Sequence, residues 1–129
     1  MRVLTDEDVI ALSPETAVDA AREALEEFAR GRLAAPPRVR AELGDVDYVY
    51  TTGGVSGDVS GFRAYRAGAS EGDQLVAVWN ASGRLVGTVV GEELGPRRTG
   101  ALGGVAVDVL AAERARTVAV IGTGTQAWT

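Results

Sequence analysis

Residues 117–127 constrain the fold of this chain more than any other stretch. Thr117-Val118-Ala119-Val120-Ile121 is an apolar, largely β-branched run, and it passes directly into Gly122-Thr123-Gly124-Thr125-Gln126-Ala127. A strand pattern that runs into G-x-G-x-x-A is how a nucleotide-binding βα unit begins. The first glycine permits the tight turn, the second lets a pyrophosphate approach the backbone, and the small Ala127 lets a helix pack on the strand. Only Trp128 and Thr129 follow. Everything upstream therefore reads as the part of a protein that precedes a cofactor domain.

The upstream residues alternate between helix and strand signals. Thr5 before Asp6-Glu7-Asp8 reads as an N-cap with acids in the first turn, opening a short helix to about Leu12. Ser13-Pro14-Glu15 is a second start signal. Val18, Ala21, Leu25 and Phe28 then recur at helical spacing, with Asp19, Arg22, Glu23, Glu26 and Glu27 as the wet face and Gly31 as the stop. Pro36-Pro37 breaks the chain. Strands are expected over 38–43, over 47–52 up to Gly53-Gly54, and over 62–66 after a loop from Val55 to Gly61. Gly68 to Asp73 reads as a polar turn. Runs 75–79 and 84–90 flank Asn80-Ala81-Ser82-Gly83, a strong hairpin signal. After Pro96 the pattern predicts a helix from Arg97 to about Ala112, apolar round much of its surface, with Gly103-Gly104 marking close packing and Asp108 requiring an arginine partner.

The expected class is α+β: N-terminal helices with a mostly antiparallel sheet and a buried connecting helix, followed by the first strand of a Rossmann (α/β) domain.

Missing residue types narrow the chemistry. The sequence holds no Cys, His or Lys, so it offers no thiol, no imidazole, no Schiff-base amine and no usual metal-ligand set. All thirteen basic residues are Arg, which binds anions but does not act as a base. A net charge of −5 argues against nucleic acid or an anionic membrane as partner. No apolar run reaches the ~20 residues of a membrane span, and the acidic N-terminus lacks a signal-peptide core, which points to the cytoplasm. Arg98 stands near a helix start, where the dipole disfavours a cation unless an anion is close. Tyr65 and Trp79 read as core or interface residues, and Asp6, Glu7, Asp8, Glu92 and Glu93 as cap or surface charges.

Four pieces in this order resemble the ornithine cyclodeaminase/μ-crystallin family. They are Pro36-Pro37-Arg38, Gly61-Phe62-Arg63, Arg97-Arg98-Thr99-Gly100-Ala101, and Val120-Ile121-Gly122-Thr123-Gly124-Thr125-Gln126-Ala127. The resemblance covers nearly the whole chain. It implies a substrate-binding and dimerisation domain over 1–115 and the start of an NAD(P)-binding Rossmann domain over 116–129. It also implies hydride transfer at the carbon of an amino or imino acid that bears the nitrogen. Arg38, Arg63 and Arg98 would hold the substrate carboxylate. Arg98, Gly122, Gly124, Thr125 and Gln126 would lie against the cofactor, NAD or NADP, which this chain alone is not expected to bind. Arg63 stands where the family usually has Lys, so it keeps the charge and loses the option of shuttling a proton. The family's catalytic Asp has no counterpart in this sequence, so no catalytic residue is assigned. A homodimer is implied, and no metal. The alternative is a non-catalytic dimerisation or carboxylate-binding module.

Overall fold

Capping chemistry fixes the first helices. In the computed structural model, which describes residues 1–68 and 72–129, the Thr5 amide donates to Asp8 Oδ2 at 2.9 Å and opens α1 (Asp6–Ile10). The Thr16 amide donates to Ser13 Oγ at 3.2 Å, with Pro14 at the first helical position, and α2 (Pro14–Ala29) follows. One acid leaves the expected wet face of α2. Glu27 is only 7% exposed, and its carboxylate is gripped by Arg30 and Arg32 just past the helix end. The hydrogen bond from Arg32 leads in holding that carboxyl below its ordinary range. An acid near a helix C-terminus opposes the dipole, and the two guanidiniums offset this.

Seven strands among the described residues follow from local pattern and distant pairing together. They are β1 (Arg2–Leu4), β2 (Leu33–Ala34), β3 (Val39–Leu43), β4 (Val46–Val55), β5 (Val59–Ala67), β6 (Gln74–Asn80) and β7 (Leu85–Gly91). They form one sheet in the order β1-β7-β6-β5-β4-β2, with β3 also paired on β4. Among the described residues only the β1–β7 pair is parallel. The 80–83 hairpin forms as expected, with Gly83 at φ +71°. The expected stop at Gly53-Gly54 does not occur, and the 55–61 loop shrinks to a turn between β4 and β5. These glycines keep the backbone of β4 close to its neighbours: a Cβ on Gly53 would lie 2.8 Å from the Ala34 carbonyl oxygen. The turn expected from Gly68 to Asp73 falls partly outside the described residues.

The connecting helix α3 (Leu94–Leu110) begins before Arg97, and a distant carboxylate holds the two residues that lead into it. Asp6 accepts from the amides of Glu92 and Glu93 at 3.1 and 2.9 Å. Asp6→Ala is expected to cost about 1 kcal/mol in thermal or urea unfolding, the usual net worth of a hydrogen bond. Asp108 does pair with an arginine, Arg22, at 2.7 Å, but the pair is exposed. Asp108→Ala is expected to cost at most about 0.5 kcal/mol in the same assay.

The helices α2 and α3 meet through small residues. Ala21, Ala101 and Val105 are buried between them, flanked by Ala17 and Val18. A Cβ on Gly104 would lie 2.9 Å from Val18 Cγ2, so that glycine sets the helix separation, whereas Gly103 faces open space. Burial of α3 on more than one side is not observed. Leu110 and Val109 are 80% and 63% exposed, because no described element covers that side.

The run 117–121 also departs from expectation. No strand forms there and Ile121 is fully exposed. A parallel strand satisfies its amides and carbonyls only beside neighbours, and this run has none among the described residues. The glycine turn itself is present, with Gly122 at φ +113° and one 3-10 turn, Thr125–Ala127, after it. No helix among the described residues is long and apolar enough to cross a membrane.

Candidate functional site

Strand alternation builds the floor of the site. Gly61, Arg63 and Tyr65 point to one face of β5. Cross-strand register sets Thr51 and Val76 on either side of Arg63, and Gln74 opposite Tyr65. The Arg63 guanidinium carbon lies 4.4 Å from the centre of the Tyr65 ring, a cation–π contact.

The first turn of α3 lies close over that floor. A Cβ on Gly95 would stand 3.1 Å from Gln74 Oε1 and 3.6 Å from a terminal nitrogen of Arg63. This close approach carries Pro96, Arg98 and Thr99 to the rim. The Pro36-Pro37-Arg38 segment after β2 makes another wall. The C-terminal tail makes a third. Thr129 packs directly on Gly100, where a Cβ would collide with the Thr129 carbonyl. Trp128 borders an apolar groove between α2 and α3 and stays 83% exposed. Gln126, in the same tail, lines the cleft together with the arginines.

The result is a cleft of about 870 Å³ lined by Arg38, Arg63, Arg98 and Gln126. Its electrostatics are one-sided. Its described lining includes no Asp or Glu, although the sequence contains 18 acids. Arg22, Arg30, Arg32, Arg40 and Arg97 pair with carboxylates, whereas Arg38, Arg63 and Arg98, like Arg2, Arg66, Arg84, Arg114 and Arg116, pair with none among the described residues. Arg63 is half-buried and its Nε is buried without a hydrogen-bond partner. Burial pushes the Arg63 guanidinium below the ordinary arginine range, and the positive charges of Arg98 and Arg38 push the same way, with Tyr65 opposing. Arg63 stays protonated at neutral pH regardless. A cation held among cations, with an unused donor, is suited to an incoming anion.

Four of the residues singled out in the sequence thus meet here: Arg38, Arg63, Arg98 and Gln126. Gly122, Gly124 and Thr125 do not line the cleft and lie exposed in the tail. Tyr65, expected in core or interface, instead supports Arg63 from the cleft face. The i, i+2 spacing of Arg63 and Tyr65 in a strand carried that signal. Gln74 and Thr99 were also missed, since nothing local marks a glutamine or a threonine as lining a cleft.

A model of the ornithine cyclodeaminase/mu-crystallin family matches residues 2–129. Several solved structures resemble the chain closely. A probable ornithine cyclodeaminase from Bordetella pertussis Tohama I superimposes with a TM-score of 0.86 at 28% identity, over 98% of this chain and 42% of that one. An archaeal alanine dehydrogenase dimer with bound NAD gives 0.83 at 27% identity, over 98% and 42%. The iminosuccinate reductase of Paracoccus denitrificans in complex with NAD+ gives 0.80 at 25% identity, over 88% and 39%. The chain therefore spans about two-fifths of the length of these relatives. No match was found among curated proteins.

Proposed function

Since the chain belongs to the ornithine cyclodeaminase/mu-crystallin family, we propose that it forms the substrate-carboxylate side of a cytoplasmic NAD(P)-dependent oxidoreductase acting on an amino or imino acid. The reading rests on one observation. Arg38, Arg63 and Arg98 line a single cleft without a carboxylate among its described lining, and the buried Arg63 Nε has no partner.

A substrate carboxylate supplies what the cleft lacks. A guanidinium presents two parallel N–H donors that match the two oxygens of a carboxylate. Arg63, fixed over Tyr65, orients that group on the sheet floor, and Arg38 and Arg98 close on it from the rim. Holding the carboxylate fixes the adjacent α-carbon, the carbon that reacts in amino-acid oxidoreduction. Arg63 orients and neutralises; with its proton retained at any working pH, it exchanges none.

The glycine turn does not make a complete dinucleotide site within these residues. A Cβ on Gly124 would meet nothing within 4 Å, so its backbone is open to a phosphate. But residues 117–121 join no sheet, and Thr125–Ala127 is a single 3-10 turn, too short to direct a helix dipole at a pyrophosphate. Dinucleotide binding and hydride transfer belong to the proposal for the whole protein. In it residues 1–115 form the substrate and dimerisation domain, and 116–129 open the nucleotide domain. Calorimetric titration of the 129-residue chain tests the division of labour. An α-keto or α-amino acid is expected to bind with a Kd on the order of millimolar, and NAD+ is expected not to bind. Binding of NAD+ without any carboxylate binding would overturn it.

The other sheet face supports self-association. Tyr50, Leu75 and Val90 lie in one cross-strand row, all exposed, with Tyr48 and Val86 nearby. An apolar face of this kind is typical of an interface, and we assign it to a second copy. Light scattering is expected to give about twice the 13.4 kDa chain mass. A Tyr50→Arg, Val90→Arg variant is expected to run as a monomer.

A further inference from the structure

We propose that Gly95 is a positioning residue of the cleft: its bare Cα lets the first turn of α3 lie on the Gln74 side chain, and that contact fixes where Arg63 presents its fork. The inference rests on the carboxylate-cleft reading above and adds a residue that acts on the ligand only through others.

The space under the helix is closely shared. A Cβ on Gly95 would stand 3.1 Å from Gln74 Oε1, 3.3 Å from Gln74 Nε2 and 3.6 Å from a terminal nitrogen of Arg63. The last is an ordinary contact, so Arg63 is not crowded directly. The first two are tighter than side chains normally accept, so either the helix or the Gln74 amide has to give way.

The helix is tied down. Asp6 accepts from the amides of Glu92 and Glu93, Glu93 pairs with Arg97 at 3.0 Å, and the Thr99 hydroxyl donates to the Gly95 carbonyl at 3.0 Å. The backbone of Gln74 is fixed as well, because it pairs with Tyr65 of β5 on one side and Gly91 of β7 on the other. What yields is the free end of the Gln74 side chain. Its neighbours on the same face of β5 are Tyr65, directly opposite, and Arg63, on the diagonal. Those two make the cation–π contact that seats the guanidinium. A Gln74 amide pushed off α3 moves into that pair and shifts the fork.

Gly95 has a second reason to be small. It precedes Pro96 in a helix, where a Cβ crowds the proline ring. That crowding acts on stability and does not involve Gln74, so the two roles separate in a double-mutant cycle.

The 129-residue chain, Gly95→Ala, Gln74→Ala and the double variant are each titrated with 2-oxovalerate by calorimetry and melted. Gly95→Ala is expected to weaken binding about fivefold, within the range for residues coupled by contact. In the Gln74→Ala background the same change is expected to weaken binding less than about twofold, while its effect on melting temperature stays the same. The cycle is repeated with Pro96→Ala throughout, which removes the ring, so that it reads out even where Gly95→Ala alone does not fold. An equal loss of affinity in both Gln74 backgrounds would overturn the inference, and so would a Gly95→Ala chain that binds normally. Either result leaves the carboxylate cleft standing. An unaltered chain that does not bind 2-oxovalerate would remove the carboxylate reading itself, and the inference with it.

Discussion

Arg63→Ala is expected to weaken carboxylate binding by about 100-fold, a loss of roughly 2–3 kcal/mol of the size seen when one partner of a desolvated charge pair is removed. The variant leaves Arg38 and Arg98 in place, but both are exposed and neither has a floor to hold it, unlike Arg63 over Tyr65. Stability is expected to move the other way. Arg63 is half-buried, flanked by like charge and carries an unpartnered Nε, so removing it relieves a cost the fold bears for binding. Calorimetric titration together with thermal denaturation checks both parts. Lost binding with an unchanged or higher melting temperature is the expected pair of results. Arg63→Lys keeps the charge and loses the planar fork, and should bind with an intermediate affinity. A variant that melts much lower while binding normally would make Arg63 a structural residue.

Gly61→Val is expected to be the most destabilising single change near the cleft. A Cβ at Gly61 would fall within contact-forbidden distance of the Ala77 carbonyl on the neighbouring strand β6. The opposing atom is backbone in the middle of the sheet and cannot rotate aside. Overpacking of this kind costs about 3 kcal/mol or more, a fall of about 10 °C in melting temperature for a domain of this size. Gly103→Ala makes a matched contrast. It sits within α3, and its Cβ would meet nothing within 4 Å. It is expected to stabilise by about 0.5–1 kcal/mol through helix propensity alone. Thermal denaturation of the two variants side by side separates them in sign.

Where the determinants were local, the fold was legible in the sequence. The Ser13-Pro14 cap, the 80–83 hairpin and the close approach at Gly104 each depend on a few adjacent residues or on one residue's lack of a side chain. What escaped was set by distant partners. β1 is a three-residue strand, and only its parallel register with β7 makes it one. The residues leading into α3 are held by Asp6, 86 and 87 positions away in sequence. Glu27 looked solvated because its two arginine partners lie beyond the helix that bears it. The run 117–121 has the composition of a strand, yet composition supplies no neighbours. At the site, the arginines stood out because a cation is conspicuous in motifs such as Arg97-Arg98-Thr99-Gly100-Ala101. That Arg38, Arg63 and Arg98 share one cleft without acids is a property of the sheet and helix packing, and no local pattern encodes it.

Arginine side-chain NMR reads out whether Arg38, Arg63 and Arg98 together receive a carboxylate. The chain has thirteen arginines, each with its own Nε–Hε group. Titrated with 2-oxovalerate, the resonances of Arg38, Arg63 and Arg98 are expected to shift together along one binding curve. Those of Arg22 and Arg97, already paired with Asp108 and Glu93, are expected to stay in place. An Arg63 resonance that remains unmoved at saturating ligand, in a chain that is still folded, would contradict the claim.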